Sequence, residues 1–207
     1  MKLSNPTIER ICKIFGYLDL LDKKGIEFVS SRELAKASGA TEYTVRKDIS
    51  LLGASRHDRK GYKVKILKTE LGETFHLNKK RKACIVGLGR LGTALLDYEK
   101  FQEDGFEIVA GFDRSINKIE RLCTHIDVFP VSSLAEVIAQ RGIELGIIAV
   151  PQESAQEVAD KLIEAGVKGI LSFSPEKINV PKDIMYLDID FTSSLRFIAV
   201  KFSMGEG

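Results

Sequence analysis

The stretch "RKACIVGLGRLGTALLDY", residues 81–98, is a short apolar run, a glycine-rich turn and a helix-forming segment in immediate succession. Ala83–Val86 is continuously apolar, as a strand buried on both faces of a parallel sheet must be. Gly87-Leu88-Gly89-Arg90-Leu91-Gly92 follows at once. In this spacing the first glycine permits a tight turn and the second lets backbone approach a pyrophosphate. The third allows the helix to pack close on the strand, and the phosphates sit where the helix offers free N–H groups. The next apolar run, "FEIVAGF" at 106–112, ends at Asp113, 21 residues past Gly92. An acid there bonds both ribose hydroxyls of a dinucleotide and repels a 2′-phosphate, which favours NAD(H) over NADP(H). Arg114, next to it, is a cation able to accept such a phosphate and weakens that exclusion.

Beyond Asp113 the alternation continues: "IDVFP" as a short strand, "SSLAEVIAQRG" as a helix, and "LGIIAVP" as a strand ending at Pro151. "ESAQEVADKLIEAGV" follows as an amphipathic helix and "KGILSFSP" as a further strand. This predicts a doubly wound α/β sheet of the Rossmann type. The loops at Val150-Pro151 and around Phe173 fall at strand C-termini, where such sheets bind ligands. The last segment, "DFTSSLRFIAVKFS", places Leu195, Ile198, Ala199 and Phe202 at helical spacing, with Thr192 or Ser193 as the expected cap. An apolar helix there needs a cover, and a partner subunit is a natural one.

The front of the chain differs in charge. Residues 1–82 carry 19 Lys and Arg against 10 Asp and Glu, a net of +9; residues 83–207 carry 12 against 19, a net of −7. A basic front joined to an acidic back predicts an anionic partner for the front alone. Asn5-Pro6 starts a helix whose Ile8, Ile11, Phe15 and Leu18 form an apolar stripe. Ser30 and Glu33 have capping-box spacing for a second, short helix that stops at "SGA", 38–40. Thr41 caps a third, "EYTVRKDISLL", ending at Gly53. A short helix, a glycine turn and a second helix form a helix-turn-helix. On the third helix Val45, Ile49 and Leu52 point inward, leaving Thr44, Arg46, Lys47 and Ser50 for base edges and phosphates. The basic stretch "ASRHDRKGYKVKIL" follows, in which "YKVKI", 62–66, alternates as a strand does. That predicts a wing, with Arg56, Arg59, Lys60 and Tyr62 along the DNA backbone; Arg10 on the first helix completes the expected DNA-binding set.

The composition, 44% apolar and 29% charged, is that of a soluble globular protein, and no apolar run reaches membrane-span length. Scattered Cys12, Cys84 and Cys123 predict reduced thiols in a cytoplasm, and isolated His57, His76 and His125 predict no metal site. No catalytic constellation is evident at a strand end: Tyr98 stands alone, and Asp188 and Asp190 read as a polar strand end. Only 56 residues follow Pro151, too few for a substrate domain. No enzymatic activity is expected.

The joint order of "VSSRELAKASGATEYTVRKDIS", "CIVGLGRLGTALLDY", "GFDRSINKI", "IIAVPQESAQEVADKLIEAGVKGILSFSP" and "DIDFTSSL" resembles the redox-sensing repressors called Rex, over essentially the whole chain. That resemblance implies a cytoplasmic bacterial homodimer. It implies a winged-helix DNA-binding domain at 1–78, a Rossmann NAD(H)-binding domain at 79–191 and a C-terminal helix at 192–207 exchanged into the partner. It implies binding to a palindromic operator in double-stranded DNA with NAD⁺, and release by NADH. By the same resemblance Tyr98 and Phe173 match positions near the nicotinamide, and Asp190 matches an acid presented to the partner subunit. Gly16 stands where family members commonly carry an Arg that pairs with that acid. The wing has Ser55, Arg56 and Arg59 in place of an aromatic and two glycines, and Ser172 replaces an Asn. Two other readings stay open at the level of sequence: a small NAD-dependent oxidoreductase, and a DNA-binding regulator that answers another nucleotide or a CoA ligand.

Overall fold

The computed structural model describes residues 3–51 and 60–205. The chain divides into two compact units, Met1–Lys79 and Lys80–Gly207.

The first unit is built from α1 (Asn5–Lys23), β1 (Phe28–Val29), α2 (Ser31–Ser38), α3 (Glu42–Leu51), β2 (Tyr62–Lys63) and α4 (Val64–Phe75). Ser4, not Asn5, is the N-cap residue of α1, so Pro6 falls in the first turn, where its missing N–H costs nothing. Both halves of the capping box between Ser30 and Glu33 are formed, and Gly39 closes α2 in the left-handed conformation at φ +68°. Thr41 Oγ1 accepts the N–H of Thr44 at the start of α3. Ile11, Ile14, Leu18, Leu34, Val45, Ile49, Leu67 and Leu71 share one core.

The wing segment departs from the expectation. Within the expected strand 62–66 only Tyr62 and Lys63 are strand, paired antiparallel with Val29 and Phe28. From Val64 the backbone is helical. Five alternating residues satisfy a period of two, but the burial beyond them obeys 3.6: Leu67 and Leu71 are buried, while Ile66 is 39% exposed. Gly61, at φ +121°, is required where the two short strands meet, because a Cβ there would lie 2.4 Å from Val29 O.

The second unit runs β3 (Arg81–Val86), α5 (Arg90–Leu96), α6 (Glu99–Glu103), β4 (Phe106–Asp113), α7 (Ile116–Arg121), β5 (Val128–Pro130), α8 (Leu134–Arg141), β6 (Leu145–Ile148), α9 (Gln152–Glu164), β7 (Gly169–Ser172), β8 (Met185–Asp188) and α10 (Phe191–Ser203). The six strands form one sheet in the order β5-β4-β3-β6-β7-β8, every pairing parallel. Chain order reverses beside β3, which creates a crevice at the C-terminal ends of β3 and β6. Cys84 and Val86 pack with α8 and α9 on one face, and Ala83 and Ile85 with Leu88 and Leu96 on the other. This two-sided burial explains the uninterrupted apolar run of β3.

Three local expectations change. The helix after the glycine turn stops at Leu96 rather than running through Tyr98. The strand β8 has no apolar alternation strong enough to announce it. The cap of α10 is Asp190, whose carboxylate accepts the N–H of Ser193, rather than Thr192 or Ser193. An aspartate in β conformation three residues before a free N–H outcompetes a hydroxyl already inside the first turn. None of the α10 residues is buried within the chain, and Phe202 is 85% exposed.

Candidate functional site

The glycine turn assigns a different steric role to each glycine. Gly87 has φ +96°, and a Cβ on it would meet Ala149 O at 2.6 Å. A Cβ on Gly92 would lie 1.8 Å from Gly87 O, so helix α5 can seat on the turn only if this position is bare. Around Gly89 nothing lies within 4 Å of a built Cβ. Two glycines are thus demanded by the chain's own packing, and the middle one faces open space. That is the fit a dinucleotide pyrophosphate needs at a turn of this kind. The turn is anchored by Gly87 N donating to Phe112 O and Ala149 N donating to Val86 O, both at 2.8 Å. Arg90 and Leu91 are exposed at the start of α5.

Asp113 closes the other side. Its carboxylate is buried at the end of β4. Oδ2 accepts the N–H of Leu88 and Oδ1 the N–H of Ser115, each at 2.8 Å. The acid therefore ties the glycine turn to the β4–α7 loop, and each oxygen keeps a further lone pair for a ribose hydroxyl. Lys118 Nζ is 3.6 Å from Oδ2. Arg114 is exposed and paired with Glu157 on α9. Hydrogen bonds from Lys161 and then Arg114 hold the Glu157 carboxyl below the usual range.

Val150 and Pro151 lie one residue beyond the end of β6, after Ala149. Phe173 follows β7, its N–H donating to Ile148 O at 2.9 Å, and its ring stacks on Phe191 at a centroid separation of 5.8 Å. Tyr98 caps α6 instead, edge-on to Phe101. The sequence reading missed Ser174: its hydroxyl is buried beside Phe173 and has no hydrogen-bond partner among the described residues. The pattern around it, Ser-Phe-Ser, carries no periodic signal that would single it out.

In the first unit Val45 and Ile49 of α3 are buried, as expected, while Leu52 and Gly53 lie outside the described residues. Arg46, Lys47 and Ser50 are exposed and Thr44 is half-buried, its hydroxyl 2.9 Å from that of Thr41. Tyr43 joins this face at 73% exposure, an aromatic the sequence reading passed over. Arg46 lies 3.6 Å from Glu42 one turn earlier, and Arg32 3.9 Å from the same carboxylate. Arg10 is engaged inside the unit. Its Nε and Nη2 lie 2.7 and 3.2 Å from the buried carboxylate of Asp48, and the hydrogen bond to Asp48 raises the guanidinium pKa. Tyr62 is 4% exposed and belongs to the core. Lys60 is exposed, with its ammonium 5.4 Å from the centre of the Phe28 ring. Arg56 and Arg59 lie outside the described residues.

Among the described residues no helix is long and apolar enough to cross a membrane, and no three His, Cys, Asp or Glu side chains converge as a metal site would require. Asp190 is exposed and fully engaged as a cap: besides the Ser193 N–H, it accepts the Ser193 hydroxyl at 2.5 Å. These hydrogen bonds lower its pKa.

Comparison with known proteins gives these features a family. Residues 2–50 match the family model described as "Putative DNA-binding protein N-terminus", and residues 78–176 match the "CoA binding domain". The chain is 40% identical over 197 residues to the redox-sensing transcriptional repressor Rex of Carboxydothermus hydrogenoformans, covering 95% of each chain. It is 34% identical to that of Desulforamulus reducens, over 100% of this chain and 98% of the relative. Among solved structures it resembles RSP in complex with β-NADH, at a TM-score of 0.87 and 29% identity, covering 100% of this chain and 97% of that one. The crystal structure of RSP with β-NAD⁺ and operator DNA gives a TM-score of 0.84 at 29% identity, covering 100% of this chain and 95% of that one. With identity of this extent along the whole chain, the protein belongs to the Rex family of redox-sensing transcriptional repressors.

Proposed function

We propose that this chain is a DNA-binding transcriptional repressor that reads the NADH/NAD⁺ ratio, holding a palindromic operator with NAD⁺ and leaving it with NADH. The observation that carries the reading is the clasp between Asp113 and the glycine turn. A buried carboxylate bonded to Leu88 N–H stands beside a glycine, Gly89, around which there is open space. Gly87–Gly92 would hold the pyrophosphate and Asp113 the adenosine ribose. Val150, Pro151, Phe173 and Tyr98 would line the nicotinamide end, where the unpartnered Ser174 hydroxyl is available for a carboxamide. The bound coenzyme supplies no reaction here; its binding energy shifts a conformational equilibrium. RSP, a relative with the same fold, has been crystallised with β-NADH and with β-NAD⁺ plus operator DNA.

On the DNA side, Thr44, Arg46, Lys47 and Ser50 of α3 would face the major groove, with Lys60, Arg56 and Arg59 on the backbone. Arg10 and Tyr62 act from within the unit, orienting α3 and the short sheet rather than touching DNA. The reading divides the chain into domains at 1–78 and 79–191 and a helix at 192–207 exchanged with a second copy; the uncovered apolar face of α10 supports the exchange. The protein works as a homodimer in a bacterial cytoplasm. Gly16 cannot form the pairing with the partner's Asp190 that an Arg would make, so the DNA-bound form relies on other contacts.

Fluorescence anisotropy on a palindromic operator tests the reading. Affinity should be retained with NAD⁺ and fall at least tenfold on addition of NADH. Affinity insensitive to both would reject redox sensing, and dinucleotide binding to a protein with no operator affinity would favour the oxidoreductase alternative.

A further inference from the structure

An acid at the end of the second Rossmann strand ordinarily keeps a ribose 2′-phosphate away, whereas an Arg nearby accommodates one. In this chain the acid is set among cations. Arg114 follows Asp113 directly, Lys118 Nζ lies 3.6 Å from its Oδ2, and Arg121 stands one turn further along α7. Both carboxylate oxygens already accept backbone N–H groups, which draws the negative charge into the turn.

Beside this carboxylate opens a cavity of about 250 Å³ lined by Leu88, Asn117, Lys118, Arg121 and Leu122. Two of these residues, Leu88 and Lys118, are the ones that hold and approach Asp113 Oδ2, so the cavity adjoins the ribose-binding acid. Leu88 and Leu122 form its apolar wall, and an ammonium, a guanidinium and an amide its polar one. The Arg121 guanidinium has no ion-pair partner among the described residues. Ser115, whose N–H bonds Asp113, accepts the N–H of Lys118 through its hydroxyl and keeps that hydroxyl's proton as a donor. Nothing in the NAD(H) reading uses Lys118, Arg121 or Asn117: the adenosine ribose of NAD(H) carries hydroxyls there and no charge.

We propose that this cavity is a phosphomonoester subsite on the adenosine ribose, so that the chain accepts a ribose-phosphorylated adenine nucleotide in addition to NAD(H). The inference rests on the dinucleotide reading of the Asp113 clasp. Two ligands carry the required chemistry: NADP(H), phosphorylated at the 2′-hydroxyl, and coenzyme A, phosphorylated at the 3′-hydroxyl. In either case Lys118 and Arg121 hold the phosphate from the α7 side while Asp113 keeps the remaining hydroxyl. A regulator built this way reads a second nucleotide pool through the pocket that reads the first.

Isothermal titration of the full chain with two matched pairs, NADH against NADPH and dephospho-CoA against CoA, decides it. The expected result is that in at least one pair the phosphorylated ligand binds no more than tenfold weaker than its partner. In that pair Arg121→Ala and Lys118→Ala should each lower the ratio of phosphorylated to unphosphorylated affinity at least fivefold. The responding pair identifies which hydroxyl carries the phosphate. Phosphorylated ligands more than tenfold weaker in both pairs would overturn the proposal, as would ratios that do not move in the variants. Failure of NADH itself to bind is a separate outcome, which removes the NAD(H) reading and leaves the CoA pair alone to decide the subsite. Melting temperatures of the variants within a few degrees of wild type keep a folding defect from mimicking the result.

Discussion

Arg10 of α1 and Asp48 of α3 are joined by an ion pair, Nε to Oδ2 at 2.7 Å and Nη2 to Oδ1 at 3.2 Å, with the Asp48 side chain 6% exposed. The same guanidinium donates to Thr7 Oγ1 at 3.1 Å. Helix α3 is thereby fixed in azimuth by a residue 38 positions away. Removing one partner strands the other. Arg10→Ala should lower stability by about 2–3 kcal/mol, since a buried carboxylate loses its charged donor. Urea melts measure this. The joint change Arg10→Met with Asp48→Leu should recover most of the loss, because it removes both charges together. If the single and double variants are equally unstable, the pair contributes packing rather than charge compensation.

The three glycines of the turn should respond differently to one methyl group. Gly92→Ala places a carbon 1.8 Å from Gly87 O and should unfold or grossly loosen the second unit. Gly89→Ala meets nothing, so its melting temperature should stay at the wild-type value while NADH affinity drops at least tenfold. Thermal melts paired with titration calorimetry separate the two effects. Wild-type NADH affinity in Gly89→Ala would show that no phosphate passes that carbon.

Arg46 and Lys47 differ in reach and geometry on the exposed face of α3. Arg46→Ala should cost about 1–3 kcal/mol on the operator and relax preference at one base position, as loss of a bidentate base contact does. Lys47→Ala should weaken binding to all duplexes alike and reduce the salt slope by about 1, as loss of a phosphate contact does. Tyr43→Ala, which removes the aromatic beside them, should alter the half-site preference. Competition of operator variants across a salt series reads all three.

Lys68 of α4 bridges Asp19 and Asp22 of α1 at 2.8 and 2.9 Å, and the resulting stability is bounded by pH on both sides. Burial alone raises the Asp19 pKa, but hydrogen bonds from Lys68 and Lys23 outweigh it and hold the carboxyl below its ordinary 3.8. The hydrogen bond to Asp19 is the main reason that the Lys68 ammonium is raised above its ordinary 10.5. A depressed carboxylate stabilises the fold above its unfolded pKa and loses that contribution as the pH falls through the folded value. A raised ammonium stabilises below its unfolded pKa and loses that contribution as the pH rises through the folded one. The melting-temperature gap between wild type and Lys68→Met should therefore be constant from about pH 5 to pH 9 and close at both extremes. A gap independent of pH would mean that the lysine stem, not its charge, carries the contact.

The apolar face of α10, including Leu195, Ile198 and Phe202, is exposed within the single chain. Leu195→Asp together with Phe202→Asp should convert a dimer to a monomer in light-scattering measurements and abolish operator affinity, while leaving NADH binding in place. A dimer that survives both charges would assign the self-association surface elsewhere.

Much of the second unit was legible because its constraints are local. Three glycines within six residues, an apolar run before them and an acid at the end of the next strand describe one βαβ unit whose geometry admits few alternatives. The capping box at Ser30 and Glu33, and the Gly39 stop, were legible for the same reason: each involves residues within one or two turns of each other. Where periods compete over a few residues, the sequence was ambiguous. Tyr62–Ile66 alternates as well as any strand, and the helix that takes over at Val64 is selected by burial of Leu67 and Leu71 against α1.

The sequence by itself determined the glycine turn, the acid at the end of β4, the basic exposed face of α3 and most of the alternation of strands and helices in the second unit, because these follow from steric and hydrogen-bonding needs of neighbouring residues. Only the tertiary structure decided that Arg10 serves Asp48 and that Tyr62 is core. It also decided that Arg114 pairs with Glu157, and that Lys118 and Arg121 wall a cavity against Asp113. A long cation can reach several acids or a solvent-facing anion equally well from its own position. Which partner it takes depends on how separately formed elements pack, and that information is distributed over the core rather than written beside the residue.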